Sequence, residues 1–140
     1  MPIYLHNEDH THFLNNEHDS INWLENAIIE EGYQLDDLNY IFCSDEYILN
    51  INRTYLNHDY YTDVITFDNS TINRTITGDI YISIERVQEH SQQYETNKLK
   101  ELHRIMIHGL LHLLGYLDKK EDDKIKMTLK EDTYLSLLKQ

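Results

Sequence analysis

Ile105-Met106-Ile107-His108-Gly109-Leu110-Leu111-His112-Leu113-Leu114-Gly115-Tyr116-Leu117-Asp118 is the stretch around which the rest of the chain is organised. On a helix, His108 and His112 stand four residues apart and share one face, a turn from each other. Gly115 follows three residues later and is the residue type that lets a helix stop and the backbone turn through positive φ. Asp118, three residues further on, is a carboxylate that the turned chain can bring back toward the two rings. Read as ligands, His108, His112 and Asp118 form a facial set around one divalent cation and leave a fourth position open. That open position separates a catalytic zinc site from a closed structural one.

Histidine pairs at helical spacing are often ordinary. The apolar flanks here place both rings in or beside a core, where an unpaired imidazole is costly, and the glycine and carboxylate fall where a third ligand is needed. The spacing is also similar to the zinc helix of metzincin-type proteases, with aspartate in the last ligand slot. Those enzymes carry a glutamate directly after the first histidine as general base. This chain has Gly109 there, which makes a metallopeptidase-like hydrolase the second reading.

With 140 residues and one proline, the chain is expected to form one domain over residues 1–140. A hydrophobic fraction of 40% is enough for a packed interior. Cys43 is the only cysteine, so no intrachain disulfide can form; a buried thiol and a reducing cytoplasm are expected. The segment Met1-Pro2-Ile3-Tyr4-Leu5-His6 has neither a basic nor an apolar leader pattern, and no stretch reaches the length of a membrane helix, so no membrane partner is expected.

The formal charge of −13 argues against a nucleic-acid partner until its distribution is considered. Residues 1–97 hold three basic and eighteen acidic residues; residues 98–140 hold nine basic and seven acidic. Lys98, Lys100 and Arg104 precede the histidine motif and Lys119, Lys120, Lys124, Lys126 and Lys130 follow it. Screening over about 8 Å lets such a local patch hold an RNA that the distant acidic surface repels. On charge alone, solvated helix faces of mixed sign are an equal alternative.

In chain order, Ile3–Leu5 and His12–Leu14 read as extended, and His6, His10, His12 and His18 as surface residues. Ser20 is the expected N-cap of a first helix with Ile21, Leu24, Ala27 and Ile28 inward, stopped by Gly32. Leu38–Cys43 reads as a buried strand. Ser44 caps a second helix reaching about Leu56, with Ile48, Ile51 and Tyr55 inward. Asp63–Phe67 and Ile80–Ile82 read as strands joined by a turn-rich segment. Ser83 caps a helix to about Tyr94, Lys98–Leu114 forms the helix of the motif, and Glu121-Asp122-Asp123 opens a last helix with Ile125, Leu129, Leu135 and Leu138 inward. The expected fold class is α/β (α+β-like), a mixed central sheet of about four strands with about five helices packed on it.

Three blocks resemble the YbeY family of bacterial endoribonucleases, also called rRNA maturation factors. The first is Asn52-Arg53-Thr54-Tyr55, then Asp59 and Thr62-Asp63-Val64-Ile65-Thr66-Phe67. The second is Gly78-Asp79-Ile80-Tyr81-Ile82-Ser83, followed by Glu85-Arg86-Val87. The third is Glu101-Leu102-His103 and His108-Gly109-Leu110-Leu111-His112-Leu113-Leu114-Gly115-Tyr116, with Met127 and Glu131 behind. The resemblance implies a zinc-dependent, single-strand-specific RNase. It further implies processing of the 3′ end of small-subunit (16S) rRNA and a role in ribosome maturation in the cytoplasm. Its partners would be single-stranded rRNA and the small subunit or its proteins, with no DNA partner expected.

Two positions depart from the family pattern. Asp118 stands where the family usually has a third metal histidine, with Leu117 in place of the preceding aspartate. Aspartate oxygen binds zinc at about 2.0–2.2 Å, and an oxygen ligand widens the choice toward other divalent metals such as Mn²⁺ or Fe²⁺. Leu56 stands where the family generally has an arginine thought to contact the phosphate. Arg53, three residues earlier, is the candidate to take over that role. The expected chemistry is metal-assisted phosphodiester cleavage by water or a ribose 2′-hydroxyl, with one Zn²⁺ per chain. Asp63 and Asp79 are candidate positioning groups, although turn or cap roles suit them too. A non-catalytic, metal-stabilised assembly factor is the remaining alternative.

Overall fold

A computed structural model describes residues 2–138; Met1, Lys139 and Gln140 lie outside it. Four strands, β1 (Ile3–Asn7), β2 (Gln34–Cys43), β3 (Val64–Asp68) and β4 (Thr75–Ser83), form one sheet in the order β1-β2-β4-β3. β2 runs parallel to β1 and β4, and β3 is antiparallel to β4, so the sheet is mixed as expected. Alternation sorts its faces: Leu38, Tyr40 and Phe42 of β2 and Ile76, Ile80 and Ile82 of β4 all enter the main core. The opposite face is more polar, with Asn39 Nδ2 donating to Asp79 at 3.2 Å, and a smaller cluster of Cys43, Ile48 and Ile65 closes one end of it.

The helices are α1 (Glu17–Glu30), α2 (Asp45–Ile51), α3 (Ile84–Gln93), α4 (Lys98–Leu113) and α5 (Glu121–Ser136); a π-helical turn, Asn52–Leu56, extends α2. Ser44 and Ser83 cap α2 and α3 as their side-chain chemistry predicts, accepting from the Tyr47 and Arg86 amides. Ser20 does not cap α1. Asn16 does, and Ser20 lies inside the helix, buried, with its hydroxyl 2.8 Å from His103 Nε2. His12–Leu14 forms no strand. Tyr55 points outward, 68% exposed. On α5 the buried residues are Met127, Glu131 and Tyr134, while Ile125 and Leu129 face solvent. Hydropathy alone favours the latter pair, but the stripe that is buried supplies a carboxyl partner for Arg104 and His108 of α4.

α4 lies across β3 and β4, and most of its circumference is covered. Leu102, Met106, Ile107, Leu110, Leu111 and Leu113 are all buried. A Cβ on Gly109 would meet Ile80 Cγ2 at 2.9 Å, and one on Gly78 would meet Leu113 Cδ1 at 3.2 Å, so helix and sheet pack tightly at these two glycines. From Glu101 onward, what remains partly open on α4 is the stripe Glu101, Arg104, Ile105, His108 and His112. The fold leaves one flank of its central helix accessible, and that flank carries the histidines.

Candidate metal centre

The end of α4 is built by Gly115. At φ +99° it makes a Schellman turn: its amide donates to the His112 carbonyl at 3.1 Å and the Tyr116 amide to the Leu111 carbonyl at 3.0 Å. The chain thereby doubles back, and Asp118 arrives over the last turn of the helix. His108 Nε2 and His112 Nε2 are 3.1 Å apart, and Asp118 Oδ2 is 3.4 Å from the first and 3.2 Å from the second. These three half-buried residues form a group able to hold a metal ion. A tetrahedral ion bonded at about 2.0–2.1 Å has donor edges of about 3.3–3.4 Å, close to this triangle.

Hydrogen bonds at the far side of each ring settle which nitrogens carry lone pairs. His108 Nδ1 is 2.7 Å from Glu131 Oε2, and His112 Nδ1 is 3.1 Å from the Tyr116 carbonyl. Both partners can only accept, so each neutral ring donates through Nδ1 and presents a bare Nε2. Two nitrogen lone pairs and a carboxylate oxygen then converge with no donor between them. Such an arrangement is repulsive unless a proton or a cation sits among the three, and the donor set suits a first-row divalent ion.

Glu131 is buried within α5 and divides its oxygens between His108 and Arg104, whose Nη1 donates at 2.8 Å; Arg104 Nη2 reaches Asp132 at 2.8 Å. Burial disfavours a charged His108, but the hydrogen bond and charge of Glu131, with Asp118 and Asp63 behind, outweigh it and raise the ring above the ordinary histidine value. Asp63 lines the same cleft of about 280 Å³ as His108, Arg104, Glu101, His90 and Glu131. Its position is fixed by its own carbonyl, which accepts the Ser83 amide at 2.9 Å. Arg53 is not brought to the triad: it sits exposed on the π turn, its Nε donating to Asp59 at 2.5 Å. Asp79 is on the opposite face of the sheet with Asn39. Cys43 is fully buried, and burial together with the Asp9 and Glu8 charges pushes its thiol up to about 12, which removes it as a nucleophile.

The chain matches the family model described as Endoribonuclease YbeY over residues 4–139. It belongs to the YbeY family. The Endoribonuclease YbeY of Cytophaga hutchinsonii is 49% identical over 137 residues, covering 98% of this chain and 96% of that protein. That of Christiangramia forsetii is 48% identical, covering 89% and 86%. A Thermotoga maritima protein solved in solution shares the fold at a TM-score of 0.66 and 26% identity, over 96% of this chain and 87% of its own. Against the YbeY pattern, this member places a carboxylate where its third donor converges and keeps two acceptors behind the histidines. Neither acceptor has a role assigned by the sequence. The position of Glu131 on the same helical face as Met127 and Tyr134 is the signal available for the first; a backbone acceptor such as the Tyr116 carbonyl leaves none.

Proposed function

We propose that this chain is an endoribonuclease that cleaves single-stranded RNA at a divalent-cation centre, Zn²⁺ by preference, held by His108, His112 and Asp118. The observation that carries the reading is the convergence of two imidazole nitrogens and one carboxylate oxygen, backed by Glu131 and the Tyr116 carbonyl, in a member of the YbeY family. When bound, the cation supplies Lewis acidity toward a phosphoryl oxygen and acidifies water. The chain's own residues do the rest. Glu131 and Tyr116 hold the two rings in one tautomer, so no reorganisation is needed when a ligand arrives. Asp63 takes the proton from the attacking oxygen, of water or of a ribose 2′-hydroxyl, as that oxygen bonds to phosphorus and the leaving oxygen departs.

Exposed Lys119, Lys120, Lys124 and Lys126 follow Asp118 directly and are placed to bind phosphates flanking the scissile one, whereas Arg104 and Lys130 are already engaged by carboxylates. Arg53, away from the triad, takes a more distant phosphate of the same RNA in place of Asp59. Small-subunit rRNA maturation in the cytoplasm is the setting that the resemblance supports, and among the described residues no helix is long and apolar enough to cross a membrane. The peptidase reading loses ground at Gly109, because its Cα hydrogens face Ile80 and Thr66 and leave no space for a base.

Purified protein is incubated with single-stranded and duplex RNA, with casein, and with and without Zn²⁺, alongside His112→Ala, Asp63→Asn and Arg53→Ala. Zinc-dependent cleavage of single strands, abolished by His112→Ala and reduced about 10²-fold by Asp63→Asn at unchanged zinc affinity, supports the proposal. Full zinc loading with no RNA cleavage favours the assembly-factor alternative, and casein cleavage favours the peptidase. Undiminished cleavage by Arg53→Ala removes that residue from the site.

A further inference from the structure

Glu31, just beyond α1, collects donors from two other parts of the chain. Tyr116 Oη donates to Oε1 at 2.6 Å, Lys130 Nζ to Oε2 at 3.1 Å, and Tyr134 Oη also to Oε2. The Lys130 ammonium lies 5.7 Å from the Tyr116 ring centroid and 6.0 Å from that of Tyr134. The Glu31 side chain is only 10% exposed. Its main chain is pinned as well: Arg74 donates to the carbonyls of Glu31 and Gly32 at 3.3 and 3.2 Å. The hydroxyl of Tyr33 donates to the carbonyl of Leu114, the C-cap of α4, at 3.2 Å, so the same turn grips the helix where the Gly115 bend begins.

Lys130 and Tyr134 would be enough to hold α5 against α1. The bond to Tyr116 does something else. The Tyr116 carbonyl accepts from His112 Nδ1, its amide closes the Schellman turn, and Asp118 follows two residues later. Fixing the ring of Tyr116 therefore fixes the acceptor that sets the His112 tautomer and the bend that returns the carboxylate.

We propose that Glu31 is a positioning residue for the cation centre, acting through the hydroxyl of Tyr116 and touching none of the three donors itself. The inference rests on reading His108, His112 and Asp118 as a cation site. It is tested on the full chain by competing for Zn²⁺ with a chromophoric chelator. The proteins are the wild type, Tyr116→Phe, Glu31→Ala, the double variant and His112→Ala, and thermal unfolding of each zinc-free protein is measured in parallel. Tyr116→Phe removes only the hydroxyl and keeps the ring and carbonyl. Each single variant is expected to weaken zinc binding about tenfold, and the double variant no further than the weaker of the two, because both break one link. Nitrogen chemical shifts of the His112 ring in zinc-free Tyr116→Phe should move toward a mixture of tautomers, a change that a purely structural role would not produce.

Zinc affinity within twofold of wild type in Tyr116→Phe, while His112→Ala is impaired, overturns the proposal and leaves the site reading standing. Independent losses that multiply in the double variant overturn it too. If wild type and His112→Ala bind zinc equally weakly, the site reading falls and takes the proposal with it. Should Glu31→Ala fail to fold, the zinc affinity of Tyr116→Phe alone decides.

Discussion

Glu131→Gln exchanges one carboxylate oxygen for an amide nitrogen and separates what Glu131 does for the fold from what it does for the metal. The carboxylate, 9% exposed, accepts from His108 Nδ1 at 2.7 Å and from Arg104 Nη1 at 2.8 Å. A glutamine offers one acceptor and one donor group in the same space. If its NH₂ faces His108, the ring proton must move from Nδ1 to Nε2, onto the atom that binds the cation. If its oxygen faces His108, the NH₂ confronts a guanidinium, and Arg104 falls back on Asp132. The first outcome weakens zinc binding by about 10–100-fold, or about 1.4–2.7 kcal/mol. Either outcome removes one charge-assisted bond from a largely buried site, for about 2 kcal/mol of zinc-free stability. For a chain of this length that is a drop of about 8 °C in Tm. Calorimetric titration of zinc into the stripped protein, with scanning calorimetry of the same samples, measures both. Zinc affinity within twofold of wild type together with an unchanged Tm would match neither outcome and would show that the carboxylate supports neither the His108 tautomer nor the fold.

Two further predictions concern packing and protons. Gly109→Ala places a methyl 2.9 Å from Ile80 Cγ2, a side chain with no exposure, so despite the better helix propensity of alanine the variant should unfold with about 1–3 kcal/mol less stability, read by urea titration. A variant as stable as wild type would mean that α4 does not touch the sheet there. The raised His108 ring contributes stability to the zinc-stripped protein that is fully present below about pH 6.5 and lost as pH rises through the higher folded value. Zinc competes with that same proton, so zinc affinity runs the other way and climbs with pH. Unfolding curves with chelator and with excess zinc, taken between about pH 6 and 8, should diverge as pH rises; parallel curves would count against the shift.

The parts of this molecule that local chemistry governs are readable from the residues. Ser44 and Ser83 cap helices because a hydroxyl needs only an amide three residues on, and the donor triad is legible because its members span His108 to Asp118. Ser20 misleads for a tertiary reason: its hydroxyl has a partner 83 residues away in His103, and Asn16 takes the cap. The same distance effect hides the supports of the site. Glu131 reaches His108 across 23 residues and Glu31 reaches Tyr116 across 85; helical spacing puts Glu131 on the face of Met127 and Tyr134 but names no partner for it. Leu129 and Ile125 look like a core stripe, yet the opposing surface on α4 offers Arg104 and His108, so α5 turns its glutamate inward instead.

One consequence of the glycine bend concerns release as much as binding. His112 and Asp118 lie on either side of Gly115, on a stretch where the helix is at its end and its amide bonds are the easiest to break. Unzipping that single turn withdraws two of the three donors together, so the exit of an ion and the fraying of α4 are one event. Hydrogen–deuterium exchange at the Gly115 and Tyr116 amides should therefore slow in proportion to zinc occupancy, making those two protons a built-in gauge of how firmly the cation is gripped.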